Sequence, residues 1–125
     1  MLQHKHLLVR AEVNQPPRCP EEINIWLLNL IKALKMNVMM GPFAKYCFME
    51  GNRGLTAAAI IETSHVIMHS WDEESPGVVQ LDVYTCSDLD PEIIWAAITE
   101  FEPTHVDYKL LDRESKFITV LEKSS

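Results

Sequence analysis

The alternation of apolar and polar residues divides the chain into short segments with strand or helix periodicity. Residues 6–13 alternate in this way and predict a strand, which the Pro16-Pro17 pair ends. From Glu21 onward apolar residues recur at helical spacing, and the acidic residues Glu21 and Glu22 suit the positive end of a helix dipole. This stripe predicts one buried helix face, formed by Ile23, Trp26, Leu27, Leu30, Ile31 and Leu34.

Extended segments dominate the middle of the chain. Residues 37–49 are rich in Val, Phe, Tyr and Met and predict a second strand, which the turn residues Gly51-Asn52-Arg53-Gly54 follow. An interruption at Thr63-Ser64-His65 separates two of the next strands. These further strands are predicted at residues 55–62, 66–71 and 78–86.

A second helix and two final strands complete the pattern. Either Asp88 or the Asp90-Pro91 pair opens this helix, which ends near Phe101. Its apolar face consists of Ile93, Ile94, Ala97 and Ile98, and the final strands are predicted at about 106–111 and 117–121. Together these elements predict an α+β fold, a two-layer sandwich in which an antiparallel β-sheet carries two helices on one face. Residues 55–61 are apolar at odd and even positions alike, so both faces of this strand are apolar. The sheet face opposite the helices therefore also needs a cover, which predicts a homodimer or a swapped element.

Composition and charge narrow the class of protein. A chain of 125 residues that is 47% hydrophobic and 23% charged predicts one soluble domain over residues 1–125. A net charge of -7 with scattered basic residues argues against a nucleic-acid partner, and no apolar run reaches the roughly 20 residues of a membrane span. The segment Met1 to His6 lacks a secretory pattern, and the cysteines at 19, 47 and 86 fit neither a zinc ribbon nor a disulfide framework. A cytoplasmic protein with reduced thiols is therefore predicted.

Three features can carry chemistry before any family is considered. They are the Ser64-His65 pair at a break between strands, His69 five residues after Ser64, and Cys86 at the end of a strand. A serine hydrolase with Ser64 as nucleophile and His69 as base lacks the glycine-flanked elbow of such enzymes. A Cys86 nucleophile paired with either histidine stays open, since no local pattern selects it.

The histidines also raise the question of a metal site. Four residues of strand separate His65 from His69, which is about 13 Å at ~3.3 Å per residue and too far for one ion. His4 and His6 lie closer together, but two ligands near a chain end make a weak site. No metal is predicted.

Three segments together resemble a known family. They are Gly54-Leu55-Thr56, residues 60–73 and Asp82-Val83-Tyr84-Thr85-Cys86, and they are similar to the small bacterial and archaeal form of S-adenosylmethionine decarboxylase. That family supplies aminopropyl groups for spermidine synthesis. In it a serine attacks the carbonyl of the preceding residue, the resulting ester undergoes elimination, and the new N-terminus becomes a pyruvoyl group. Ser64 matches this serine, so the resemblance implies self-cleavage between Thr63 and Ser64 and a pyruvoyl cofactor that stabilises the carbanion left by decarboxylation.

The resemblance also implies catalytic roles for three further residues. His69 matches the base of the elimination step, and Thr56 stands in the place of a serine hydroxyl that assists it. Cys86 matches the proton donor of the turnover reaction.

Substrate-binding residues are implied by the same match. Glu73 stands where the family has the acid that accepts hydrogen bonds from the ribose hydroxyls. Phe48 is the candidate ring for the adenine and the sulfonium, for which attraction to a ring face is worth ~0.5 to 2 kcal/mol. His65, directly after Ser64, is the third residue predicted to bind S-adenosylmethionine.

The sequence departs from the family pattern at the cleavage junction. Thr63 stands where the family has glutamate, and a β-branched residue beside the scissile carbonyl crowds the attack. Asp72 replaces a proline after Trp71, and two residues are inserted around positions 74–76. Two alternatives follow: a binding or regulatory protein that does not process itself, and a pyruvoyl decarboxylase of another amino acid.

Overall fold

Seven antiparallel strands form one sheet in a computed structural model that describes residues 3–125. The strands are β1 (Lys5–Val13), β2 (Val38–Cys47), β3 (Gly54–Ile61), β4 (Ser64–Trp71), β5 (Gly77–Thr85), β6 (Pro103–Asp112) and β7 (Thr119–Lys123). Their order in the sheet is β2-β3-β4-β5-β1-β6-β7. The first strand of the chain therefore lies inside the sheet, between β5 and β6. The predicted N-terminal segment includes Met1 and Leu2, which lie outside the described residues.

Two α-helices connect these strands, and a proline begins each of them. They are α1 (Pro20–Ala33) and α2 (Pro91–Ile98), and a short 3-10 turn (Thr99–Phe101) follows α2. Proline suits the first helical turn because the backbone N–H that it lacks has no partner there. The Asp90 side chain caps α2 by accepting a hydrogen bond from the backbone N–H of Glu92 at 3.0 Å. The helix therefore starts at the Asp90-Pro91 pair and not at Asp88.

The core lies between the helices and one face of the sheet. Leu7, Val9 and Ala11 of β1 are buried there, as every second residue of a strand points to the same face. On α1 the predicted stripe is buried from Ile23 to Leu34, and the Trp26 indole N–H donates to the Ala97 carbonyl of α2 at 2.9 Å. The predicted α+β sandwich is confirmed.

The opposite side of the sheet, which we call the open face, carries the other residues of each strand. Neither helix packs on it within residues 3–125. The large apolar side chains exposed there include Leu8, Phe43 and Ile60. Residues 55–61 are apolar on both sides of the strand, and Ile60 and Ala58 are the ones that point away from the helices, onto the open face.

Some element boundaries differ from those that the sequence predicts. Strand β4 begins at Ser64 and not at Val66, because Ser64 pairs with Ile61 across a turn of only Glu62 and Thr63. Strand β6 begins at Pro103 because it pairs with β1 along nearly its whole length, which periodicity alone does not reveal. Among the described residues, no helix has the length and apolar character needed to cross a membrane.

Candidate functional site

Ser64 occupies a strained backbone position at the start of β4. Its φ is 131°, a positive value that residues other than glycine rarely adopt. Strain of this kind costs about 1 to 3 kcal/mol and persists only where the surroundings enforce it. Here the strand partners Ile61 and Thr85 hold Ser64 from both sides. The strain therefore lies directly at the predicted cleavage junction.

The carbonyl before Ser64 already has a hydrogen-bond donor. The backbone N–H of Cys86 donates to the Thr63 oxygen at 2.8 Å. A fixed N–H of this kind stabilises the negative charge that a carbonyl oxygen acquires when a hydroxyl adds to its carbon. The Thr63 side-chain hydroxyl is buried and has no hydrogen-bond partner among the described residues. Ser64, Thr63 and Cys86 form what we call the cleavage half of the site.

His69 and Thr56 form a second group on the open face. These two residues are opposite each other on β4 and β3, and the Thr56 hydroxyl lies 3.0 Å from His69 Nδ1. This contact fixes the imidazole and leaves Nε2 for proton transfer. Thr56 and His69, which the sequence assigns to the same step, are therefore in direct contact. We call the pair the base half of the site.

The two halves lie far apart in one chain. Ser64 and His69 are five residues apart on the continuous strand β4, which corresponds to about 17 Å at ~3.3 Å per residue. Proton transfer needs heavy atoms within about 3 Å. The structure therefore excludes a hydrolase in which His69 activates Ser64 of the same chain.

Glu73 and Phe48 lie near the base half, at the far end of β4. The Glu73 carboxylate accepts hydrogen bonds from the backbone N–H groups of Arg53 at 2.8 Å and Gly51 at 3.1 Å. These bonds hold the loop between β2 and β3. The Phe48 ring, which is 78% exposed, lies 4.7 Å from the Tyr46 ring. The predicted substrate-binding residues Glu73 and Phe48 are therefore associated with one loop.

The contacts of Glu73 predict a pH-dependent loop. The two backbone hydrogen bonds, from Arg53 first and Gly51 second, lower the pKa of the Glu73 carboxyl. A group with a lowered folded-state pKa stabilises the fold above its unfolded pKa and loses that effect as the pH falls through the folded value. We expect the hydrogen-exchange protection of the Gly51 and Arg53 amides to fall on acidification below the ordinary pKa of glutamate. In a Glu73→Gln variant protection should be low and independent of pH, and an equal pH response in that variant would contradict the assignment.

Sequence reasoning missed the network around Asp72. Both carboxylate oxygens of Asp72 accept from the Tyr46 hydroxyl at 2.8 Å, and one lies 3.6 Å from Arg18 Nε. Burial, and then the hydrogen bond to Asp72, raise the pKa of Tyr46. Asp72 therefore ties β2 to the end of β4. No sequence signal links positions 18, 46 and 72, because their contact depends on the folded sheet.

His65 belongs to a different cluster from His69. Its Nε2 lies 3.1 Å from Asp82 Oδ1, and His6 Nε2 lies 2.6 Å from the same oxygen. The histidine pairs considered from the sequence, His65 with His69 and His4 with His6, did not include this one. His6, Asp82 and His65 come from three adjacent strands, so only the register brings them together.

Taken together, the fold and the cleavage half define a two-layer α+β protein with a strained serine at a candidate self-cleavage junction. The sequence profile of the family described as S-adenosylmethionine decarboxylase matches residues 13–114. The chain belongs to this S-adenosylmethionine decarboxylase family, and the predicted resemblance is confirmed.

Individual relatives agree with this result. The S-adenosylmethionine decarboxylase proenzyme of Hydrogenobaculum sp. (strain Y04AAS1) is 32% identical over 97 residues, which cover 74% of this chain and 66% of that protein. The proenzyme of the same description from Pyrobaculum aerophilum is 35% identical over 91 residues, or 70% of each chain. The crystal structure of the adenosylmethionine decarboxylase from Aquifex aeolicus VF5 matches with a TM-score of 0.68 and 22% identity, and it covers 99% of this chain and 98% of that one. This likeness supports the fold.

Proposed function

We propose that this chain is a proenzyme that cleaves itself between Thr63 and Ser64 and then decarboxylates S-adenosylmethionine. The observation that carries the proposal is the strained Ser64 beside a carbonyl that the Cys86 N–H polarises at 2.8 Å. The similarity to two proteins described as S-adenosylmethionine decarboxylase proenzymes supports the same conclusion. In the organism, the product would serve as the aminopropyl donor for polyamine synthesis.

The cleavage step uses only protein side chains and water. Ser64 Oγ adds to the Thr63 carbonyl carbon, and the Thr63–Ser64 C–N bond breaks, which leaves an ester and a free Ser64 amine. A base then removes the Ser64 α-proton, and the Thr63 carboxylate leaves. Residue 64 is then a dehydroalanine with a free amine. Water adds to its α-carbon, ammonia departs, and residue 64 becomes a pyruvoyl group.

The surroundings of Ser64 fit such a group. Residue 64 is at the start of β4, so a chain that begins there still has its strand partners Ile61 and Thr85. The Cys86 backbone is held at this junction by its hydrogen bond to the Thr63 carbonyl, which supports the proposed role of its thiol as proton donor to the product carbon. When present, the pyruvoyl group supplies an electron sink for the carbanion of decarboxylation.

Completion of the site requires a second copy of the chain. His69 lies about 17 Å from Ser64 of the same strand at ~3.3 Å per residue, so the base of the elimination must come from elsewhere. Packing of two open faces about a twofold axis would bring the base half of each copy close to the end of β4 that carries Ser64 in the other. The exposed Leu8, Phe43 and Ile60 offer apolar area for this contact. We therefore infer a homodimer in which the partner subunit's His69 and Thr56 serve Ser64.

The substrate contacts follow from the loop at the base half. Glu73 uses its two oxygens to hold backbone amides, yet each carboxylate oxygen keeps acceptor capacity for a ribose hydroxyl. The Phe48 ring is exposed, so its face is accessible for stacking on an adenine. The role of His65 in substrate binding and the cytoplasmic location stay predictions from the sequence.

Release of carbon dioxide from carboxyl-labelled substrates tests the proposed activity. Purified wild-type protein should release label from S-adenosylmethionine and none from arginine or ornithine. The Ser64→Ala variant is the matched control and should release none from any of them. Release from arginine or ornithine alone would favour the alternative of another amino-acid decarboxylase, and release by Ser64→Ala would contradict the role of Ser64.

A further inference from the structure

We propose that His6, His65 and Asp82 bind a divalent transition-metal ion of the zinc type on the open face. One ligand atom of each residue lies within 4.8 Å of the other two. The set offers two imidazole nitrogens and one carboxylate oxygen, which are ligands that Zn²⁺ and related ions bind in proteins. The proposal uses neither Ser64 nor His69 and does not depend on self-cleavage, although His65 directly follows Ser64 in β4.

The register of the sheet produces this convergence. Strand β5 lies between β1 and β4, and its residue Tyr84 pairs with both His6 and His65. Asp82 is two residues before Tyr84 and therefore points to the same face. Both Nε2 atoms approach the same oxygen, Asp82 Oδ1, at 2.6 and 3.1 Å. The three candidate ligand atoms therefore already converge on one point of the open face.

The donor set and its exposure select the class of ion. Two imidazoles disfavour Mg²⁺ and Ca²⁺, which prefer oxygen ligands. The His6 side chain is 14% exposed, and those of His65 and Asp82 are 35% and 39% exposed. An ion can therefore reach these side chains from the open face of a chain before two open faces pack in the inferred homodimer. Three protein ligands leave a fourth tetrahedral position for water or for a group of another molecule.

Arg113 competes with the ion for His6. Its guanidinium donates to His6 Nδ1 at 3.2 Å and lies 4.3 Å from the centre of the Tyr84 ring. Because a guanidinium is always a donor, His6 then carries its proton on Nε2 and donates it to Asp82. A metal needs the Nε2 lone pair, so Arg113 must move away when the ion binds. Arg113 is exposed and follows the end of β6, which permits this movement.

Titration of the full chain with Zn²⁺ alone, followed by calorimetry, and with Co²⁺ alone, followed by visible absorption, tests the site. We expect about one ion per chain and the absorption of a four-coordinate Co²⁺. His65→Ala and Asp82→Asn should each weaken binding by at least about 100-fold, since even second-shell changes cost 10- to 100-fold. Arg113→Met should tighten binding, because it removes the competing donor. A purely structural hydrogen-bond network would not give this increase.

Two matched controls make the test specific. His105 is opposite Glu12 on the same face, six residues along β1 from His6, or about 20 Å at ~3.3 Å per residue. His105→Ala should bind as the wild type does, and so should His4→Ala. Absence of stoichiometric binding would overturn the proposal, as would binding that survives both His65→Ala and Asp82→Asn. Circular dichroism on each variant shows that a loss of binding is not a loss of fold.

Discussion

Co-expression of the Ser64→Ala and His69→Ala variants is expected to restore a cleavage that neither variant performs alone. Ser64→Ala lacks the attacking hydroxyl and should stay a single chain. His69→Ala keeps the hydroxyl but lacks the proposed base of the elimination, so it should stop at the ester, which hydroxylamine cuts. In a mixed dimer, Ser64 of the His69→Ala chain meets His69 of the Ser64→Ala chain, and one complete site forms.

The amount of restored cleavage follows from random assembly. With equal expression, about half of the His69→Ala chains are in mixed dimers, so about half of them should mature and none of the Ser64→Ala chains should. Mass spectrometry distinguishes the two chains by their substitutions. Co-expression of His69→Ala with His69→Gln is the matched control and should give no mature chain. Failure of the first pair, with a normal dimer by sedimentation, would contradict the shared site.

Replacement of Gly54 by alanine is expected to destabilise the fold by at least about 3 kcal/mol, the upper end of overpacking costs. A Cβ at this position would lie 1.7 Å from the Ser70 carbonyl oxygen and 2.6 Å from its carbon. Both are backbone atoms of β4, so no side-chain rotation relieves the overlap. The strands must separate at this end, next to Leu55, whose N–H donates to Ser70 Oγ at 3.1 Å.

Urea unfolding in the Ser64→Ala background measures this cost on one uncleaved chain. Gly51→Ala is the matched control, because a Cβ there meets nothing within 4 Å and only the positive φ of 86° opposes it. The control should cost about 1 to 2 kcal/mol. Equal losses in the two variants would show that strain and not the strand contact determines the effect at Gly54.

The sequence predicts the layers of this fold well, because an element that is buried on one side has apolar residues at regular spacing along the chain. The alternation over residues 6–13 and the stripe from Ile23 to Leu34 both correspond to buried faces. The spacing of apolar residues predicts the ends of strands less well. Pairing extends β6 back to Pro103, and the two-residue turn brings Ser64 into β4, although Thr63-Ser64-His65 reads as a break.

The candidate site was only partly predictable for a related reason. The resemblance supplies the identities of Ser64, His69 and Cys86, but it does not give their distances. The separation of Ser64 from His69 follows only when β4 is known to be one continuous strand. The contact of the Cys86 N–H with the Thr63 carbonyl likewise joins residues 23 positions apart, and it depends on the register of β4 against β5.

The mass of freshly purified wild-type protein tests the central claim most directly. We expect two fragments that meet at the Thr63–Ser64 junction, residues 1–63 and 64–125 of the sequence, and a carbonyl on the second fragment that borohydride reduces. The Ser64→Ala variant, prepared in parallel, should give the mass of the intact chain. A wild-type protein that keeps a single intact mass over days would contradict self-cleavage and would favour the binding or regulatory protein.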